Sequence, residues 1–357
     1  MATVMELLER DVIRDELRRR LRQAAEGRGS LSVLAGEAGA GKTVLLRQFI
    51  EEVRGDAVVL VGQCDGLSTP RALGPLLDIA SAEPALQRLL NQDAPRDLLF
   101  RTVLARLTSG SRPVLLAIED AHWADEATLD LLRYIGRRIE ATRSLVIVTY
   151  RDDEVGPRHP FRRVLGDLAA VTAVHRLSVP PLTAEGVATL AAGSGIDPEE
   201  LYARTRGNPF FVTAVIEAGG GIPATVRDAV LARASRLPAS AWAVLEATAV
   251  IGSAIDPGLL HQVAGPAGED LPACLESGIL EYQGHALAFR HELAREAVLS
   301  AISPADRKSL HTQVLQHLEA SLNGALHPAR LAHHAEEAGD AAAVLRHAPE
   351  AARRAAR

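Results

Sequence analysis

At 357 residues the chain is too long for one small core, and its 47% hydrophobic and 24% charged content is that of an ordinary folded polypeptide of two to three domains. Aromatic residues make up only 3%, while alanine, leucine and arginine abound, which argues for helices packed on small side chains around one sheet and against a β-rich fold. The 39 basic and 45 acidic residues leave a net charge of −6, so the whole chain offers no electrostatic attraction to nucleic acid or an anionic membrane.

The N-terminal stretch "MATVMELLERDVIRDELRRR" carries charges every few residues and has no apolar core of signal-peptide length. No uncharged stretch approaches the ~18 residues needed to span a bilayer. Cys64 and Cys274 lie far apart and fit no metal-ligand spacing, as expected for buried thiols in a reducing compartment. A cytoplasmic protein is expected.

Four apolar, β-branched runs follow at 30–35, 57–62, 114–118 and 144–150, with a fifth candidate at 171–177. Several are apolar on both faces, as strands inside a parallel sheet must be, and helical periodicity separates them. This pattern predicts a doubly wound α/β domain ending near residue 177. After it the chain turns helical. Asp197-Pro198, Asn208-Pro209 and Asp256-Pro257 each put a capping residue before a proline, marking three helix starts. Between 223 and 301 the pattern reads as four helices, a hairpin in "GILEYQGHALAF" with its turn near Gln283-Gly284, and another helix. That order predicts a winged-helix arrangement. Beyond Pro304 the chain is helical in pairs and stops within "APEAARRAAR" without a capping unit, so a helical repeat continuing past residue 357 is expected.

The chemistry concentrates at "GEAGAGKT", residues 36–43, which satisfies G-x-x-x-x-G-K-[ST] between a strand and a helix, the Walker A pattern. Gly36, Ala38, Gly39, Ala40 and Gly41 form a turn whose N–H groups can converge on one anion, with Thr43 and Val44 opening the helix. Lys42 then reaches the β- and γ-phosphates of ATP or ADP, and the Thr43 hydroxyl binds Mg²⁺. Only two lysines, Lys42 and Lys308, stand among 37 arginines. A compact point charge at position 42 is thus a deliberate exception. Glu119 and Asp120 follow the strand at 114–118, the Walker B position, where they would hold Mg²⁺ and orient an attacking water. Asp125 reads as a helix cap. Arg151 ends the next strand, placed either to read the γ-phosphate or to pair with Asp152 or Asp153.

The order of "LLERDVIRDELRRRL", "GEAGAGKT", "IEDAHWADEATLDLL", "VTYRDDE", "PPLT", "GNPFFV" and "FRHELAREAV" resembles the ATPase module of large LuxR-type bacterial transcriptional regulators, within the STAND class of P-loop switch ATPases. The resemblance spans the whole chain. It implies an α/β plus α fold: an AAA-like P-loop domain at 1–177, a helical lid at 178–222, a winged helix at 223–303 and the start of a TPR-like repeat at 304–357. It further implies Arg10 beside the adenine, Glu119 as metal-side acid, Asp120 orienting water, and Arg151 sensing the γ-phosphate. Pro209 would pack on adenine or ribose, and His291 would reach the β-phosphate of ADP. Two departures stand out. Glu119 replaces the usual aspartate, leaving the Glu119 and Asp120 roles interchangeable, and the N-terminal segment lacks a glycine before Glu9-Arg10.

The implied activity is a regulatory switch whose slow ATP hydrolysis controls self-association and output, with inducer and DNA contacts expected from regions beyond residue 357. The alternative is an ordinary P-loop hydrolase or small-substrate kinase with a helical substrate domain. DNA binding by the winged helix itself is disfavoured because 237–289 contains no Lys or Arg but six carboxylates. His333 and His334 belong to a tail holding six of the twelve histidines; they show no metal-ligand spacing and read as solvated helix faces.

Overall fold

A computed structural model describes residues 7–66, 71–92, 94–252, 255–320 and 328–355. The first residues of the N-terminal stretch, and the last two of the chain, lie outside the described residues. The polypeptide divides into two compact units, one of residues 1–186 with 208–210, the other of 187–207 with 211–357.

In the first unit all five expected strands form: β1 (Ser30–Gly36), β2 (Val58–Gln63), β3 (Val114–Glu119), β4 (Ser144–Arg151) and β5 (Val174–Ser178). They pair in parallel in the order β2-β3-β4-β1-β5. The apolar runs explain this directly, since alternate residues of one strand enter opposite layers. Val114, Leu116 and Ile118 join one core with Val146 and Val148, while Leu115 and Ala117 join the other with Leu145 and Ile147. The second core is closed by Leu17 and Leu21 of the helix Asp11–Ala25 and by Leu45, Leu46 and Phe49 of the helix Lys42–Val53. Deleting the Phe49 ring, which is wholly buried, would cost about 3–5 kcal/mol.

Register fixes where chemistry can occur. Gly36 of β1 stands opposite Arg151 of β4, and Ile118, one residue before Glu119, stands opposite Val148. The carboxyl ends of the three central strands therefore meet at one edge, the position where open parallel sheets take ligands.

Among its described residues the second unit has a large apolar core. It joins Val244, Leu245 and Ile251 of the helix Ala239–Ile251 to Leu259 and Leu260 of Pro257–Ala264, and to Leu280, Leu287 and Phe289 of an antiparallel hairpin. The hairpin strands are β6 (Leu280–Gln283) and β7 (Ala286–Phe289), and Gly284 takes the left-handed φ of 65° that the tight turn needs. A single bridge between Ile255 and Leu287 extends the pairing. The helices Pro304–Ala320, Pro328–Ala338 and Ala341–Ala355 follow, contributing Val314, Leu331 and Ala343 to the same core.

The three proline-marked helix starts form as expected. Asp197 accepts from the N–H of Glu199 at 3.1 Å, Asn208 from Phe210 at 3.1 Å and Asp256 from Leu259 at 3.0 Å. Asp125 likewise caps the helix Glu126–Gly136.

Candidate functional site

After β1 the chain turns through Gly39 and Gly41, whose φ values of 81° and 90° lie in the left-handed region. At Gly39 a side chain is excluded twice, because a Cβ would also stand 2.6 Å from Oδ1 of Asn208 and 2.8 Å from Cβ of Phe210. Gly36 meets a purely steric limit, with the carbonyl of Val179 only 2.7 Å from where its Cβ would be. Gly41 is the N-cap of the helix Lys42–Val53 and supplies no capping side chain. The first-turn N–H groups, including those of Thr43 and Val44, are thus presented with the positive helix end, the arrangement that binds phosphate.

Lys42 is 7% exposed, and its Nζ donates to the carbonyl oxygens of Gly36 at 2.7 Å and Glu37 at 2.9 Å. Burial depresses its pKa; nearby Asp153, Asp120 and Asp152 oppose that shift while Arg151 adds to it. A buried ammonium whose hydrogen bonds go to carbonyl oxygens is costly even with carboxylates nearby. An anionic ligand offsets that cost.

Glu119 closes β3 at 8% exposure. Burial raises its pKa above the usual carboxylate range, although a hydrogen bond with Thr43 and the charge of Arg47 act against the rise. Asp120 follows in the left-handed region at φ 54°, and its N–H donates to Oγ1 of Thr149 on the neighbouring β4 at 3.0 Å. Its carboxyl is also raised by burial, with Arg151 and Lys42 pulling it back. The two acids therefore have different neighbours. Glu119 lies with Thr43 and Arg47, and Asp120 faces Arg151 and Lys42.

Arg151 forms an ion pair, but with Glu154 at 2.7 Å rather than with the adjacent Asp152 or Asp153. Its guanidinium also lies 4.7 Å from the ring centre of Trp123, a cation–π distance. Between these groups sits His122, 4% exposed, with Nδ1 3.9 Å from Asp120 and Nε2 3.5 Å from Glu154. Sequence reasoning passed over His122, Trp123, Thr149 and Glu154. The "AHW" segment directly after the acidic pair was the available signal for the first two.

Arg10 is almost wholly buried. Its guanidinium donates to the carbonyls of Ala40, in the glycine-rich turn, at 3.3 Å and of Pro180 at 2.6 Å. Glu9 beside it accepts the N–H of Thr183 at 2.9 Å. The Glu9-Arg10 pair thereby fastens the N-terminal segment to both the turn and the chain leaving β5.

Asn208–Phe210 belongs to the same unit as the turn. The fully buried Asn208 donates from Nδ2 to Glu37 Oε1 at 2.7 Å and to the Ala38 carbonyl at 2.8 Å. The N–H of Phe210 donates to the Gly39 carbonyl at 3.3 Å. Pro209 begins the helix Pro209–Glu217, but these hydrogen bonds to the turn come from its two neighbours.

His291 lies in the second unit. Its Nδ1 donates to the carbonyl of Thr205 at 3.1 Å, and its ring meets Phe211 edge-on at 4.9 Å. It occupies the N-cap position of the helix Glu292–Ala301 without a side-chain cap bond. With Nδ1–H engaged, Nε2 would donate to a phosphate only from the doubly protonated ring.

The Thr43 hydroxyl and Glu119 carboxyl, joined by a hydrogen bond, are hard oxygen donors of the kind Mg²⁺ takes alongside water and phosphate. Two carboxyls raised by burial also mark a place where a divalent cation would lower the energy. The residues fit the group.

Residues 6–148 match the AAA ATPase domain family, so the first unit holds an ATP-binding, AAA-type P-loop ATPase domain. An uncharacterised protein of Rhizobium meliloti is 24% identical over 88% of this chain, which spans 37% of that relative's length. The Walker-type ATPase of Pyrococcus abyssi superposes with a TM-score of 0.54 at 16% identity, covering 82% of this chain and 96% of that one. A STAND protein with a tetratricopeptide repeat sensor from Pyrococcus horikoshii gives a TM-score of 0.40 at 17% identity, over 90% of this chain and 48% of that one. No helix among the described residues is long and apolar enough to cross a membrane.

Proposed function

We propose that the chain is the nucleotide switch module of a LuxR-type transcriptional regulator, in which slow ATP hydrolysis controls self-association and output. The observation that carries this reading is the grip of Asn208 and Phe210 on the glycine-rich turn. These residues open a helix whose remainder, from Phe211 onward, belongs to the second unit. A change in the turn on loss of the γ-phosphate is therefore transmitted, through covalent continuity, to the segment that carries the other unit. An enzyme with a separate substrate domain has no need of that connection.

The residues take the following roles. The first-turn N–H groups and Lys42 bind the β- and γ-phosphates; Thr43 and Glu119 would hold Mg²⁺, which supplies charge neutralisation on the phosphate oxygens. Asp120, set at the strand end by its bond to Thr149, orients the attacking water. Arg151 senses the γ-phosphate, poised between Glu154 and Trp123. Arg10 sets the shape of the turn through the Ala40 carbonyl. In the second unit the order of helices and hairpin supports a winged helix at 223–303, with a lid at 178–222 and a repeat beginning at 304. His291 is the β-phosphate contact of the ADP-held state. Arg206 and Arg290 both pair with Glu281 of the hairpin, contacts within the second unit that support a packing role for it.

The test is the dissociation rate of a fluorescent ADP analogue. ADP release slower than the hydrolysis step seen in a single turnover, and accelerated in Asn208→Ala and in His291→Ala, is the expected result. Release that is fast in the wild type and unchanged in both folded variants would transfer support to the ordinary hydrolase or kinase.

A further inference from the structure

The helices Pro304–Ala320 and Pro328–Ala338 bring together three imidazoles far from the acidic and basic groups described above in sequence. His311 and His334 are 4% and 1% exposed, while their neighbour His333 is exposed. The solvated faces expected for this tail hold for His333 and fail for His334. The reason is helical geometry: adjacent residues point about 100° apart, so one ring of the pair enters the core beside Leu331 and Ala335 as the other faces out.

Nδ1 of His311 and Nδ1 of His334 lie 2.9 Å apart. The three rings offer one nitrogen each, all within 4.8 Å of one another. Ring centres are 5.1 Å apart for His311 and His334, 5.6 Å for His311 and His333, and 5.2 Å for His333 and His334. We propose that His311, His333 and His334 form a binding site for a divalent transition metal of the zinc class, clamping the two helices together.

Two arguments support the assignment. Two nitrogens bonded to the same zinc ion at about 2.0–2.1 Å in tetrahedral geometry stand roughly 3.3 Å apart, so the pair needs to open by only a few tenths of an ångström. In the metal-free state the two Nδ1 atoms can be reconciled only by a shared proton, since one must donate to the lone pair of the other; a metal accepts both lone pairs. The surroundings are mixed in charge: Arg307 lies near His311 and Arg330 near His334, while Glu337, beside His311, is the anion that answers them. Imidazole-only ligation suits zinc, copper, nickel and cobalt rather than magnesium or calcium. The site is therefore chemically separate from the oxygen donors at Thr43 and Glu119.

The test is Co²⁺ titration of the full 357-residue chain, purified without a histidine tag and stripped with chelator, followed by competition with Zn²⁺. One Co²⁺ per chain is expected, with visible bands of a low-symmetry site and no near-ultraviolet thiolate band of the kind Cys64 or Cys274 would add. His333→Ala changes an exposed residue and should leave folding intact by circular dichroism, yet weaken Co²⁺ binding at least tenfold, as expected when a direct ligand is removed. His311→Gln, if folded, should do the same. Absence of stoichiometric binding in the wild type, or binding equally tight in His333→Ala, would overturn the proposal.

Discussion

The two units bury different chemistry. Among the described residues, the ionic side chains in the interior, namely Arg10, Arg20, Lys42 and Glu119, all belong to the first unit. The buried polar side chains of the second unit are hydroxyls and imidazoles: Thr205, Thr248, His291, His311 and His334. Burying charge is expensive unless something answers it. The first unit is thus organised around a charged ligand, and the second around packing. Leu287, Val298 and Val314 fill its core where the first unit spends its interior on Lys42 and Glu119.

The contrast is broken most sharply by removing the ammonium. Lys42→Ala should weaken ADP and ATP binding by about 10³-fold, the loss expected when one member of a buried charge-assisted contact is truncated. Lys308→Ala, at an exposed position of the second unit, should leave affinity unchanged by the same titration. Equal losses would mean that the interior charge has no special part in binding.

Next in size is the effect on chemistry. Asp120→Asn should lower the ATP hydrolysis rate by about 10²-fold, in the range of a lost acid–base or water-orienting group, while ADP affinity stays within a few-fold. Its backbone φ of 54° is tolerated by asparagine, so thermal stability should hold. An Asp120→Asn protein that hydrolyses ATP normally would move the water-orienting role elsewhere, with Glu119 as the first alternative.

A smaller change is expected at the connection between loop and helix. Asn208→Ala leaves the Ala38 carbonyl and the Glu37 carboxylate without this donor, a loss of about 1–3 kcal/mol. ADP release should quicken by roughly tenfold, measured by displacement with excess unlabelled nucleotide.

The mildest test uses pH. Burial raises the folded values of Glu119 and Asp120, so their contribution to first-unit stability is present at low pH and lost as pH rises through those raised values. His311 and His334 act in the opposite sense. Their folded values of about 4 and about 3 lie below the unfolded value of 6.5, so their contribution is present above pH 6.5 and lost as pH falls toward 4 and then 3. The two tryptophans, Trp123 and Trp242, fall one in each unit. Single-tryptophan variants unfolded in urea, in chelated buffer without nucleotide, should report a midpoint that falls between pH 7 and 5 for the Trp242 unit and does not fall with it for the Trp123 unit. Parallel shifts would contradict the division of buried chemistry.

Much of this was legible in sequence, for reasons of range. Strands apolar on both faces, capping residues before prolines and a glycine turn between strand and helix are local signals, and the structure forms each where the residues called for it. The acidic pair was legible as a pair, but its division of labour was not: only the fold, which sets Glu119 beside Thr43 and Asp120 beside Arg151 and Lys42, separates the two carboxyls. Asn208 was hidden by its own success as a helix cap, which explained the residue fully while its other end reached Glu37 and Ala38. The histidines were read as solvent-facing because their partners lie on two helices. His311 meets His334 across 23 residues of chain, a distance that no spacing rule covers.

The most direct test of the switch reading is the identity of nucleotide carried by the purified protein. Denaturation followed by chromatography should release stoichiometric ADP from the wild type and none from Lys42→Ala. A site that yields no nucleotide and then turns over added ATP rapidly would contradict the account, making the chain an ordinary P-loop enzyme rather than a latch.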